Sequence, residues 1–158
     1  MTTLLYSHPA CIEHDPGSNH PECPERLKAV LDGLNDPVFN NLERIEAPRL
    51  DIETIRRVHD TEYIERLMDA SPSEGCIYLD PDTVLSSGSV EAARRASGAA
   101  IDAVDQVMTG KATNAFCAVR PPGHHAESSQ AMGFCLFNSA ALAAVHARNV
   151  HMVSRAAV

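Results

Sequence analysis

The sequence predicts an α/β fold built on a parallel sheet, and three observations carry that expectation. Short apolar runs of strand length alternate with stretches of helical periodicity. Residues 115–119 (Ala-Phe-Cys-Ala-Val) are wholly apolar, as expected of a buried parallel strand. The next residues, Arg120-Pro121-Pro122-Gly123-His124-His125, form a stiff turn beyond that strand's carboxyl end, where open parallel sheets bind ligands.

The elements follow in order. Residues 3–7 read as a strand, and residues 8–23 as a polar loop holding His8, His14, His20, Cys11 and Cys23. Pro24 then occupies a first-turn position, and Leu27, Val30, Leu31 and Leu34 form the apolar stripe of a helix that Asn35-Asp36-Pro37 ends. Residues 42–47 suit a second strand. Asp51 and Thr61 suit the caps of two short helices, each with a Glu close behind. Residues 71–88 are rich in Ser, Pro, Asp and Gly and read as a long loop. A long helix over about 89–109 carries Val90, Ala93, Ala100, Ile101, Val104, Val107 and Met108 on one stripe, and Gly110 stops it. Asn138 or Ser139 caps a last helix over about 139–149. The tail from Met152 to Val158 reads as the approach to another buried strand, so the whole of 1–158 is expected to be one partial domain.

Composition narrows the function classes. The chain has 158 residues, 44% hydrophobic and 22% charged, with no Trp and 4% aromatic residues, which describes a globular domain with an aliphatic core. The net charge of -8 argues against direct nucleic-acid binding and is compatible with cationic amines. Five scattered cysteines without a CxxC fit a reducing, cytoplasmic setting better than a disulfide framework. No apolar stretch approaches the ~18 residues of a membrane span, and no secretory signal pattern opens the chain.

Four segments could carry chemistry. His124 and His125 place two adjacent imidazoles on a rigid turn, and imidazole suits proton transfer near neutral pH. Gly133 and Phe134, in Met132-Gly133-Phe134-Cys135-Leu136-Phe137-Asn138, could line a narrow apolar slot or belong to the core. Arg26 lies in the first turn of its helix, where a cation opposes the dipole, so either an anion or Glu22 or Glu25 should compensate it. Cys11, His14, His20 and Cys23 have a spacing that zinc could in principle use, although two prolines intervene.

Taken together, HPECPERL, VHDTEYIERL, LDPDT and RPPGHHAESSQAMGFCLFN resemble the histone deacetylase and acetylpolyamine amidohydrolase superfamily, especially its class II-like and bacterial members. The likeness spans almost the whole chain. It implies the amino-terminal part of an arginase/deacetylase-like three-layer fold, incomplete at the carboxyl end. It implies metal-assisted hydrolysis of N-acetyl or other N-acyl amides of lysine peptides or polyamines. His124 matches the residue that holds the catalytic water, and His125 the general base and acid. Gly133 and Phe134 match the lining of the acyl-lysine tunnel, and Arg26 an arginine of the acetate channel.

The family's zinc ligands, an Asp-x-His pair and a second Asp, belong further along the chain, after a lead-in that resembles Ser154-Arg155-Ala156-Ala157-Val158. None of them is present here, nor are the carboxylates that orient the histidines or the carbonyl-polarising tyrosine. The chain alone is therefore expected to be inactive, and either marginally stable or rescued by self-association through an unfinished sheet edge. The alternatives are a short binding or regulatory protein that keeps the start of the fold, and a small zinc module on Cys11, His14, His20 and Cys23.

Overall fold

The computed structural model describes residues 2–158. Its main sheet has three parallel strands. β1 (Thr3–Ser7) lies between β2 (Glu43–Glu46) and β5 (Asn114–Cys117). Side chains alternate across β1, so Leu4 and Tyr6 face one side and Leu5 the other. Leu4 and Tyr6 pack with Ala47, Ala99 and Ala112, beneath helix α5 (Ser89–Met108). Leu5 packs with Cys11, Leu27 and Ala118, beneath α1 (Ala10–Glu13) and α2 (Pro24–Gly33). Helices thus cover both faces of the sheet, as the predicted α/β class requires.

A third cluster gathers the remaining elements around Ile55, Ile64, Leu85, Leu136 and Phe137. It joins α3 (Ile52–Ile55), α4 (Thr61–Asp69), the antiparallel hairpin of β3 (Cys76–Tyr78) and β4 (Val84–Ser86), and the segment leading into α6 (Ser139–Val150).

Helix α5 can approach its neighbours closely because its buried face is made of Ala92, Ala93, Ala96, Ala99 and Gly98. A Cβ at Gly98 would overlap the Pro48 carbonyl oxygen. The same helix holds that segment by hydrogen bonds, from Arg94 Nε to the Leu50 carbonyl at 2.8 Å and from Arg95 Nη1 to the Ala47 carbonyl at 3.0 Å. Gly110 follows at φ +76, a conformation suited to ending a helix.

Several expectations need correction. The loop over 8–23 contains α1, and the loop over 71–88 contains the β3–β4 hairpin. Thr61 is the first residue of α4, and the cap position falls one residue earlier, on Asp60, whose side chain makes no capping bond. β5 is an edge strand of the three-stranded sheet, so its side chains alternate between exposed and half-buried, and Phe116 is 51% exposed. Among the described residues, 152–158 form no strand. Among the described residues no helix is long and apolar enough to cross a membrane.

One buried ionic group ties the sheet to the loops above it. Glu22, His14 and Arg120 are 1%, 2% and 4% exposed. Arg120 Nε and Nη2 reach the two Glu22 carboxylate oxygens at 2.6 and 2.7 Å. Nη2 also donates to the Glu22 carbonyl at 2.9 Å, while Nη1 donates to the carbonyls of Cys11 and His14 at 2.8 and 2.9 Å. His14 Nε2 lies 3.2 Å from Glu22, and its Nδ1 lies 2.7 Å from Ser89 Oγ. Burial alone would raise the Glu22 carboxyl, but the bonds from His14 and Arg120 outweigh it and hold the group below the usual carboxylate range.

Two stability measurements follow from this packing. Gly98→Ala should destabilise the chain by about 1–3 kcal/mol, read as a lower urea midpoint, because backbone must move to admit the methyl group. Glu22→Gln should cost about 3–5 kcal/mol at neutral pH by stranding Arg120. A carboxyl held low in the folded state contributes stability above its unfolded value of about 4.3, and that contribution is lost as pH falls through the folded value. The Gln variant should therefore lose less stability on acidification than the parent. An unchanged neutral midpoint would show that this ion pair does not hold the loops.

Candidate active site

The site begins where β5 ends. Ala118 N–H continues the sheet by donating to the Tyr6 carbonyl at 2.9 Å, and Arg120 is then fixed by the buried network. The chain turns through a cis Arg120–Pro121 bond, Pro122 and Gly123. Gly123 lies against the first residue of α6, where a Cβ would overlap the Ser139 hydroxyl. This turn delivers His124 and His125 to the surface with ring centroids 4.1 Å apart and planes tilted by 48°.

Asn138 clamps the loop to the helix. Its Oδ1 accepts from Ala141 N–H at 2.8 Å and so caps α6. Its Nδ2 donates to the Ala126 carbonyl at 2.8 Å and, at 3.4 Å, to that of His124. Its own N–H donates to His59 Nε2 at 2.9 Å. Burial lowers the His59 pKa, which keeps that ring neutral and able to accept.

Gly133 and Phe134 form the tip of a two-residue hairpin closed by Met132 N–H to Cys135 O at 3.1 Å and Cys135 N–H to Met132 O at 2.9 Å. Both tip residues have positive φ, +56 and +68, as in a type I′ turn. Glycine is required at the first position for a second reason. A Cβ there would lie 2.8 Å from two His125 ring carbons, so only a bare backbone can approach the imidazole this closely. Phe134 carries the left-handed strain of about 1–2 kcal/mol. Two contacts oppose it: Phe134 N–H donates to Thr83 Oγ1 at 3.1 Å, and the ring meets His20 edge-on at 5.0 Å. His125 N–H points to Cys135 Sγ at 3.4 Å. Burial raises the Cys135 thiol despite nearby N–H groups, so it stays protonated and is a poor nucleophile.

The fold therefore brings His124, His125, Gly133 and Phe134 together. Arg26 lies apart from them, on a hollow of about 220 Å³ that it lines with Glu22, Val119, Arg120 and Pro122. Neither Glu22 nor Glu25 compensates it, since Glu22 is bound to Arg120 and Glu25 lies 3.3 Å from Lys28. A larger hollow of about 380 Å³ between β1, β2, α1 and α2 touches none of these residues.

The zinc-module alternative is corrected by the same geometry. Cys11 packs in the core, and His14 belongs to the Glu22 group. His20 uses both ring nitrogens, accepting from Glu22 N–H at 3.1 Å and reaching the Asp82 carbonyl at 3.0 Å. Among the described residues, the one group whose ligand atoms lie together is Asp105, His146 and His151. It includes neither His124 nor His125, so the residues around the pair do not fit a metal centre by themselves.

Sequence reasoning missed His20, Thr83 and the Glu22–Arg120 bond as parts of the site. For Thr83 a signal exists: in Asp80-Pro81-Asp82-Thr83 the first carboxylate accepts from the N–H groups of Asp82 and Thr83 at 2.8 and 2.6 Å, a local turn typical of Asp.

Comparison with known proteins agrees with this geometry. A family model described as "Histone deacetylase domain" matches residues 20–158. The chain is 38% identical to "Polyamine deacetylase HDAC10" of Mus musculus, over 98% of this chain and 23% of that protein. It is 41% identical to "Histone deacetylase-like amidohydrolase" of Pseudomonas aeruginosa, over 95% of this chain and 38% of that protein. A solved structure titled "Crystal Structure of HDA15 HD domain" superposes with a TM-score of 0.87 at 33% identity, over 93% of this chain and 43% of the other. The chain thus spans less than half the length of each of these relatives. It belongs to the histone deacetylase domain family, and with it to a family of deacetylase hydrolases.

Proposed function

We propose that this chain forms the proton-handling part of an enzyme that hydrolyses N-acyl amides of cationic amines. The observation that carries this reading is the His124–His125 pair, seated beyond a parallel strand with the His125 ring close against Gly133. His125 takes a proton from the attacking water and returns it to the leaving amine. His124 holds that water and balances the charge that develops on it. Gly133 and Phe134 line the slot for the acyl-bearing chain. Arg26 attracts the carboxylate product toward its hollow.

The substrate is an acetylated polyamine or an acetyl-lysine peptide. The printed names of the relatives include a polyamine deacetylase, and a net charge of -8 suits a cationic amine. Zinc is the cofactor of this reading, held by ligands that are not among these 158 residues, so the chain by itself is a partial domain without turnover. The setting is cytoplasmic. The open outer edge of β5, with Phe116 beside it, receives further sheet or a second copy of the chain.

The test compares the 158-residue chain with the same chain joined to the rest of the matched domain, on an acetyl-lysine peptide and an acetylated spermidine. The short chain should release no acetate. The completed domain should turn over at least one substrate, and His125→Ala should reduce kcat by about 10²–10⁴-fold. Gly133→Ala should also lower kcat, because its methyl group displaces the His125 ring. A completed domain that hydrolyses neither substrate, or one indifferent to His125→Ala, would overturn the proposal.

A further inference from the structure

We propose that Asp105, His146 and His151 form a binding site for one divalent transition-metal cation of the zinc class, which clips the carboxyl end of α6 to α5. The three groups come from separate points of the chain and converge. His146 Nε2 and His151 Nε2 each lie 2.6 Å from the same Asp105 oxygen, Oδ1. All three ligand atoms fall within 4.8 Å of one another. The two rings stand at 69° with centroids 5.7 Å apart, so their nitrogens address one point from different directions.

The backbone sets this arrangement in advance. His151 terminates α6, with its N–H donating to the Ala147 carbonyl at 3.2 Å, and Val153 N–H shares that acceptor at 3.3 Å. Asp105 sits in the last turn of α5, and the two helices pack together. A cation here needs little reorganisation of the chain.

The donor set favours a metal of borderline softness. Two imidazole nitrogens and one carboxylate oxygen suit Zn²⁺, Co²⁺ or Ni²⁺ better than Ca²⁺ or Mg²⁺, which take mostly oxygen. The two imidazole nitrogens already converge on the Asp105 carboxyl group, which brings an oxygen ligand and a negative charge for the cation to meet. The His146 side chain is 10% exposed and that of Asp105 39%, so the site is backed by protein and open on one side. That open side leaves room for water to complete the coordination. In the metal-free form each Nε2–H donates to Oδ1. A cation would take both nitrogen lone pairs and displace those protons to Nδ1 or to solvent.

This site is separate from the His124–His125 pair. Its histidines follow Asn138, the cap of α6, by 8 and 13 residues, about 12 and 20 Å along the helix axis. Its role is structural: it would stabilise the helix whose amino end clamps the histidine loop. The proposal does not depend on the deacetylase reading, and none of its ligands belongs to that machinery.

The experiment is calorimetric titration of the metal-free 158-residue chain with Zn²⁺ under reducing conditions, with thermal unfolding followed on the same samples. The parent should bind one equivalent and unfold at a higher temperature when loaded. His151→Ala and Asp105→Asn should each weaken binding by more than about tenfold and lose the thermal shift. Asp105→Asn keeps the side-chain shape, so it decides the matter if His151→Ala loosens the helix end. Cys23→Ser should leave both readouts unchanged. A Co²⁺ titration should show nitrogen and oxygen ligation without a thiolate band. The proposal fails if the parent binds no Zn²⁺, if binding survives both variants, or if a thiolate band appears.

Discussion

The guanidinium of Arg120 sits almost out of reach of water, with all five N–H groups bonded to oxygen. Its partners are the Glu22 carboxylate and three backbone carbonyls of the 11–22 segment. An unpaired charge at this depth would cost several kcal/mol, so the bonds form together or not at all. Arg120 also links β5 to the Pro-Pro-Gly turn. The strand end, the loop before α2 and the histidine pair therefore share one constraint. His14 adds a third member and ties the group to Ser89, the first residue of α5.

The second constraint is the small side chains of α5. A chain with no tryptophan and few aromatic residues cannot fill wide gaps between layers, so the layers must come close. The alanines and Gly98 allow this, and Arg94 and Arg95 then satisfy the carbonyls of Leu50 and Ala47 that close approach would otherwise bury without a partner. The buried Arg94 and the half-buried Arg95 are thus a consequence of the helix's alanine face.

Local signals made most elements legible. β1 coincides with the apolar run over 3–7, Pro24 opens α2, and Asn138 caps α6 as read. The β3–β4 hairpin was not legible. Its strands have three residues each, β3 is exposed throughout and β4 buried throughout, so neither shows the alternation that marks a strand. The tail over 152–158 reads as the approach to a strand and forms no strand itself, since a strand exists only where another one pairs with it. The proximity of His124, His125, Gly133 and Phe134 was legible because they lie close together on the chain. Thr83 and Glu22 were not, because their bonds to Phe134 and Arg120 span 51 and 98 residues. No spacing rule reaches that far.

The histidine pair is held almost wholly through its backbone. Asn138 grips the carbonyls of His124 and Ala126, Cys135 faces His125 N–H, the Gly133 backbone supports one ring face, and Arg120 anchors the strand end. None of these contacts uses an imidazole nitrogen of His124 or His125. Position and chemical tuning are therefore separate in this chain. Where the rings sit is decided by bonds within these residues, while among the described residues no hydrogen bond engages a ring nitrogen of either histidine. Such a division suits a site of proton transfer, because a general base has to be placed to within a fraction of an ångström yet keep its lone pair free until the reacting water arrives.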